Sequence, residues 1–290
     1  MFISALLDRW NGRLVSAPAR TIGAAIAVFV TSILPAPVLN RVAHLLPAST
    51  EPRLVAFAVQ ALILASIFAA LKVRPGALSS TLPGREGLVA GAWFVLGTLA
   101  FSLLVTATMF PRDSETGNLA TLVSIWTRDF PATGLAGRLM LVGLLVPIFE
   151  EFLYRGLILG HLMRSVPGWL ALAVTTALFA AGHDSWLLSG LTGCALGLLY
   201  LRYRSVWLCV LVHGAHNLVS SAGATLLVAH LRDQQVFKWV EGPLLPLQVA
   251  WLAFVVACLA RFVAEVFARI EGGPRRLLRQ RAGIAVNTRP

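Results

Sequence analysis

Eight apolar stretches, at residues 21–39, 54–71, 87–110, 138–163, 168–183, 186–201, 205–230 and 244–267, take up most of this chain. About 20 mostly apolar residues are needed to cross a bilayer as a helix. Within lipid, a helix lets one segment satisfy its own backbone polar groups. The expected fold is therefore all-α, a polytopic transmembrane helix bundle of about eight spans. Stretches 168–183 and 186–201 are short, as suits helices whose ends are shielded by neighbours in a bundle. Composition agrees: 57% of the 290 residues are hydrophobic and 13% charged, against about 25% charged in ordinary soluble domains.

The loops supply an independent reading of topology. With the N-terminus in the cytoplasm, that side receives Arg9, Arg13, Arg20, Lys72, Arg74, Arg85, Arg164, Arg202 and Arg204. It also receives the tail arginines Arg269, Arg275, Arg276, Arg279, Arg281 and Arg289. The opposite side holds about half as many basic residues, among them Arg41, Arg53, Arg112, Arg128 and Arg232, which is the bias the positive-inside rule expects. Both termini are thus expected in the cytoplasm of a multi-pass cell-membrane protein. Residues 1–267 read as a single membrane domain and 268–290 as a basic, unstructured cytoplasmic tail. Asp8, Arg9 and Arg13 interrupt the start before any adequate apolar core, so the first long apolar stretch would act as an uncleaved signal-anchor.

The net charge of +11 does not imply nucleic acid. The basic residues sit in short loops and in the tail without interleaved aromatics, a pattern that records topology and contact with anionic lipid. Cys194, Cys209 and Cys258 fall within the apolar stretches and match no zinc or redox spacing, so they read as packing residues.

Against this background, Glu150 and Glu151 stand side by side in the 138–163 stretch. Each charge at that depth costs about 2.5–3.5 kcal/mol on insertion scales, so an acid there is a functional-site hypothesis by default. On a helix the two point about 100° apart and take different environments. Arg155 lies four residues after Glu151 on one face, in the favoured acid-then-base order, and would hold Glu151 ionised. Glu150 is left to face a cavity as a candidate general base. Pro147 frees a backbone carbonyl and can kink the helix at the site.

Later stretches bring candidate partners. Phe179-Ala-Ala-Gly-His183 ends the 168–183 stretch, and its small residues allow close helix approach. His213-Gly-Ala-His216-Asn217 lies in the 205–230 stretch, with His213 and Asn217 on one face and His216 on an adjoining one. Any one of these could simply be an interhelical hydrogen-bonding group. Together a carboxylate, two imidazoles and an amide can activate water and stabilise a tetrahedral oxyanion. His216 reads as a supporting or structural residue.

In these residues the chain resembles the CAAX-prenyl-protease and bacteriocin-processing family of intramembrane proteases. That family shows Glu-Glu-x-x-x-Arg, Phe-x-x-x-His and His-x-x-x-Asn or Asp on successive core helices. Here they read Glu150-Glu151-Phe-Leu-Tyr-Arg155, Phe179-Ala-Ala-Gly-His183 and His213-Gly-Ala-His-Asn217, over about 138–220. The resemblance implies Glu150 as general base for a water nucleophile with His183 beside it. It implies His213 and Asn217 as the oxyanion hole, with Glu151, Arg155 and Phe179 supporting the site.

The implied activity is hydrolysis of a peptide bond in a membrane-associated protein or peptide, whether a prenylated tail, a leader peptide or a membrane segment of a signalling protein. No cofactor is expected. Two carboxylates and two imidazoles could ligate zinc, but there is no His-Glu-x-x-His pair, and an amide-based oxyanion hole needs no metal. A proton-coupled carrier could also use buried acids as relays. Against it stand the absence of an inverted repeat and the clustering of the polar set on three stretches. A noncatalytic scaffold is the remaining alternative, and the intact motif speaks against it.

Overall fold

The structure, a computed structural model, describes residues 83–109, 134–163, 166–183, 185–223 and 245–267, together with positions 58, 62 and 65. Among them every regular element is helical and no strand occurs. Helix α1 is Arg85–Met109. A continuous helical stretch over 134–162 follows, here α2. It runs as α-helix over Gly134–Met140, π-helix over Leu141–Leu145, α-helix over Val146–Glu151, π-helix over Phe152–Leu159 and a last α turn, Gly160–Leu162. Helices α3, α4 and α5 are Gly168–Ala181, Trp186–Tyr203 and Val206–Asn217, the last continuing as a π turn over Leu218–Gly223. Helix α6 is Leu245–Phe267.

The expected stretches from 87–110 onward each overlap one of these helices, with positions 224–230 of the 205–230 stretch outside the described residues. The 138–163 stretch starts earlier, at Gly134, and carries two π segments that apolar patterning does not show. Expected spans 21–39 and 54–71 lie outside the described residues, except that positions 58, 62 and 65 are helical. Most of the 111–137 connection, the tail 268–290 and both termini also lie outside them.

Local chemistry sets the short connections. Arg204 adopts a left-handed conformation (φ 52°) and ends α4, at a cost of roughly 1–2 kcal/mol for a residue with a Cβ. Ser205 then caps α5, its hydroxyl oxygen accepting from the Leu208 N–H at 3.2 Å and satisfying one donor of the first turn.

Helix α2 packs against α3, α4 and α5. From Glu151 to Leu159 every residue is buried, against Leu196, Leu199 and Leu201 of α4 and Leu208 of α5. Such helix pairs have little hydrophobic force between them in lipid, so close approach at small residues supplies the packing. A Cβ at Gly193 would stand 3.0 Å from the Phe179 ring, and one at Gly97 3.2 Å from both Cys258 and Leu259. Helices α1 and α6 pack along each other, and Trp251 Nε1 donates to the Ala100 carbonyl at 2.7 Å.

The outer surface of α6 shows Val249, Leu252, Phe254, Val256 and Val263, and the start of α4 shows Trp186, Leu187 and Leu191. Among the described residues, Arg85–Leu104 and Val249–Phe267 are long and apolar enough to cross a membrane, and Gly168–Ala181 and Val206–Ser220 are shorter apolar helices. An all-helical architecture with apolar side chains turned outward is consistent with a membrane protein.

Candidate functional site

Glu150 and Glu151 sit at the end of the central α segment of α2, where the helix passes from α to π geometry. π turns inside α-helices occur frequently at functional sites. The two carboxylates diverge as helical geometry requires, yet both reach the same imidazole.

Glu151 is fully buried. Its Oε1 accepts from Arg155 Nη1 at 2.6 Å and from His213 Nδ1 at 2.8 Å. Arg155 is buried too. Its Nη2 donates to the Gly193 carbonyl at 3.0 Å, and its guanidinium lies 4.7 Å from the centre of the Phe179 ring. A charge buried this deeply is tolerable only when it is paired and its donors are placed, and Arg155 meets both conditions.

Glu150 is flanked on both sides. Its Oε1 lies 3.7 Å from His183 Nε2 and its Oε2 3.7 Å from His213 Nε2. These separations exceed a direct hydrogen bond and are of the order at which an intervening water can engage both partners. Among the described residues neither Glu150 Oε2 nor Glu151 Oε2, both buried, has a hydrogen-bond partner.

Both imidazoles are fixed from behind. His183 Nδ1 lies 2.7 Å from the Phe179 carbonyl oxygen. A carbonyl can only accept, so Nδ1 carries the proton. His213 Nδ1 donates to the Glu151 carboxylate in the same manner. Each ring thereby turns its Nε2 toward Glu150. Phe179 organises the group: its ring stacks on His183 at 4.5 Å between centroids and meets His213 edge-on at 5.8 Å and Tyr154 edge-on at 5.0 Å.

Asn217 is one turn beyond His213 on α5, and its Nδ2 donates to the Val142 carbonyl of α2 at 2.9 Å. His216 faces away from the carboxylates. Its Nε2 is 3.4 Å from Thr192 Oγ1, and its ring is tilted against Phe94 at 5.5 Å. A cleft of about 490 Å³ adjoins the group, and His183, His213, His216 and Asn217 line it together with Phe94, Thr98 and Thr192. That size lies within the range of ligand sites.

Every residue singled out in the sequence is therefore within this one region: Glu150, Glu151, Arg155, Phe179, His183 and His213 in direct contact, Asn217 and His216 along the cleft. Sequence reasoning missed the Gly193 carbonyl, the Tyr154 edge and the cleft wall formed by α1 and α6 through Thr98, Val255 and Leu259. The small residues Thr192, Gly193, Cys194 and Ala195 were an available signal for close approach near Gly193.

As to metal, the Nε2 atoms of His183 and His213 with Glu150 are the atoms that could face an ion. Among the described residues, however, no group of three or more His, Cys, Asp or Glu side chains has the arrangement of a metal site.

The fold and the site together define a helical, membrane-type protein with a glutamate–histidine cluster beside a cleft. Residues 132–219, the part of the chain that holds the cluster, match the family model described as type II CAAX prenyl endopeptidase Rce1-like, so over this part the chain is similar to the CAAX-prenyl-protease and bacteriocin-processing family. That family is a protease family, and the matched residues include all those in the cluster. No curated protein and no solved structure matches the chain.

Proposed function

We propose that this protein is an intramembrane endopeptidase that hydrolyses a peptide bond in a membrane-associated protein or peptide, using Glu150 to activate water. The observation that carries the reading is the placement of the Glu150 carboxylate 3.7 Å from the Nε2 atoms of two histidines, His183 and His213, that themselves line the cleft. A single buried acid can serve as packing glue; one flanked by two imidazoles, each held by a second hydrogen bond, is a preorganised polar site.

In the first step Glu150 takes a proton from water as the water oxygen bonds to the scissile carbonyl carbon. The carbonyl π pair moves onto its oxygen. His213 Nε2 and the Asn217 amide donate to that developing oxyanion, a role that requires His213 to hold protons on both nitrogens, with Glu151 accepting the one on Nδ1. In the second step the oxyanion collapses, the C–N bond breaks, and the leaving nitrogen takes the proton held by Glu150. His183 Nε2 lies beside Glu150 to orient the water. Glu151 and Arg155 hold His213 in place.

The cleft supports a peptide-like substrate. Phe94, Phe101, Leu188 and Leu259 offer apolar contacts, and the hydroxyls of Thr98, Ser102, Ser189 and Thr192 can meet backbone groups. The wider setting of this reading is a single membrane domain over 1–267 with eight spans, both termini in the cytoplasm and residence in the cell (inner) membrane. It needs no metal cofactor, and its partners are the lipid bilayer and a membrane-associated substrate. Quantitative proteomics of membrane fractions tests it: cells with the wild-type protein should yield a cleavage product that disappears with Glu150→Ala. Identical peptide profiles in the two would overturn the reading.

A further inference from the structure

Pro147 has no N–H, so one carbonyl of the preceding turn of α2 loses its donor. The local register identifies which. Over Leu141–Leu145 the helix is π, and the Val146 N–H donates to the Leu141 carbonyl, five residues back. One position further along the same register, residue 147 would donate to Val142. That carbonyl is the one Asn217 Nδ2 engages at 2.9 Å, from a helix 75 positions away in sequence. A carbonyl only accepts, so the orientation of the Asn217 amide follows from chemistry.

Near this contact α2 and α5 approach closely, through Gly143 and Gly214. A Cβ added at Gly214 would meet the Gly143 carbonyl oxygen directly. The two ends of this junction lie next to the two groups that matter: Glu150 is three residues beyond Pro147, and His213 is one turn before Asn217.

We propose that Asn217 is a positioning residue whose amide replaces the donor that Pro147 removes from α2, and that this interhelical bond sets the spacing between Glu150 and His213. The proposal rests on the reading of Glu150 as the base. It adds to the Asn217 amide a second task, on the hydrogen that does not go to the oxyanion.

The test uses the full-length protein purified in detergent and the peptide identified by the membrane comparison, measuring Tm, kcat and KM for Asn217→Ala, Pro147→Ala and the double variant. Pro147→Ala restores a backbone donor, so the double variant should recover Tm relative to Asn217→Ala. It should also gain roughly tenfold in kcat at unchanged KM, since small misplacements of reacting groups cost one to two orders of magnitude in rate. Its kcat should stay below wild type by about 10²-fold, because the oxyanion donor is still missing.

Additive losses in Tm, with no recovery, would overturn the bond's replacement role. Recovery of Tm with no gain in kcat would reduce the bond to stability alone and overturn positioning. Full recovery of kcat would uphold positioning and remove Asn217 from the oxyanion hole. Should Asn217→Ala not fold, Asn217→Leu keeps a similar size and has no donor, and the same comparisons apply.

Discussion

His213 donates through Nδ1 to Glu151 Oε1 at 2.8 Å, the same oxygen that Arg155 engages at 2.6 Å. Glu151 thus acts on the site through the imidazole: it fixes which nitrogen faces Glu150 and ties ring orientation to a buried ion pair on α2. Two adjacent acids of one sequence motif have different surroundings: Glu151 is fully buried in the pair with Arg155, and Glu150 lies between the His183 and His213 Nε2 atoms.

Arg155→Ala removes the guanidinium from a fully buried carboxylate and leaves Glu151 with the His213 Nδ1 contact. Breaking such a pair costs about 3–5 kcal/mol, so the variant should lose both Tm and activity, with the Tm loss visible by thermal unfolding in detergent. Glu150→Gln should show no comparable drop in Tm. A wild-type Tm for Arg155→Ala would mean that the pair does not hold the bundle.

Gly214→Ala should destabilise the protein although alanine is the better helix former. The propensity gain is at most about 1 kcal/mol, whereas the added Cβ meets the Gly143 backbone, which cannot turn aside, and overpacking typically costs about 1–3 kcal/mol. Gly190→Ala is the control: its nearest neighbour is the Ala180 Cβ at an ordinary 3.6 Å, so Tm should hold or rise. Equal Tm changes for the two would refute the close α2–α5 junction.

Much of the side-chain cluster was legible because its polar groups do not belong in lipid. Glu150, Glu151, Arg155, His183, His213 and Asn217 stand out against apolar neighbours, and the i,i+4 spacing of Glu151 and Arg155 already states their ion pair. The backbone partners were not legible. The carbonyls of Phe179, Gly193 and Val142 have no side-chain signature, and each becomes a partner only through long-range packing. The π segments were hidden for a related reason: apolar residues occur all round α2, so a change of helical register alters no visible pattern, and Pro147 alone hints at it. The cleft wall from α1 and α6 was invisible because Phe94, Thr98 and Leu259 look like any span residue until the helices are packed.

Metal content separates two chemistries available to the same side chains. The proposed roles of His183, His213 and Asn217 need hydrogen bonds alone, so activity should survive thorough chelation and dialysis, and purified protein should carry substoichiometric zinc. A zinc mechanism would require His183 and His213 as ligands with a carboxylate. Chelation would then abolish activity, and His213→Ala would lose bound metal. Metal analysis of wild type beside His213→Ala decides.

The eight-span arrangement predicts that reporters fused after Arg204 and after Arg269 both register the cytoplasm, and that one after Asp113 registers the opposite face. This follows from the excess of basic residues in the cytoplasmic connections. A C-terminus found on the outside would refute the arrangement.

The central claim is that Glu150 is the base. Glu150→Gln keeps the side chain's size and removes its ability to take a proton, so the most direct measurement is the rate of appearance of the cleavage product at matched protein levels. The account predicts a fall of at least about 10²-fold, with the variant folded and membrane-inserted. A Glu150→Gln protein that cleaves at the wild-type rate would contradict it.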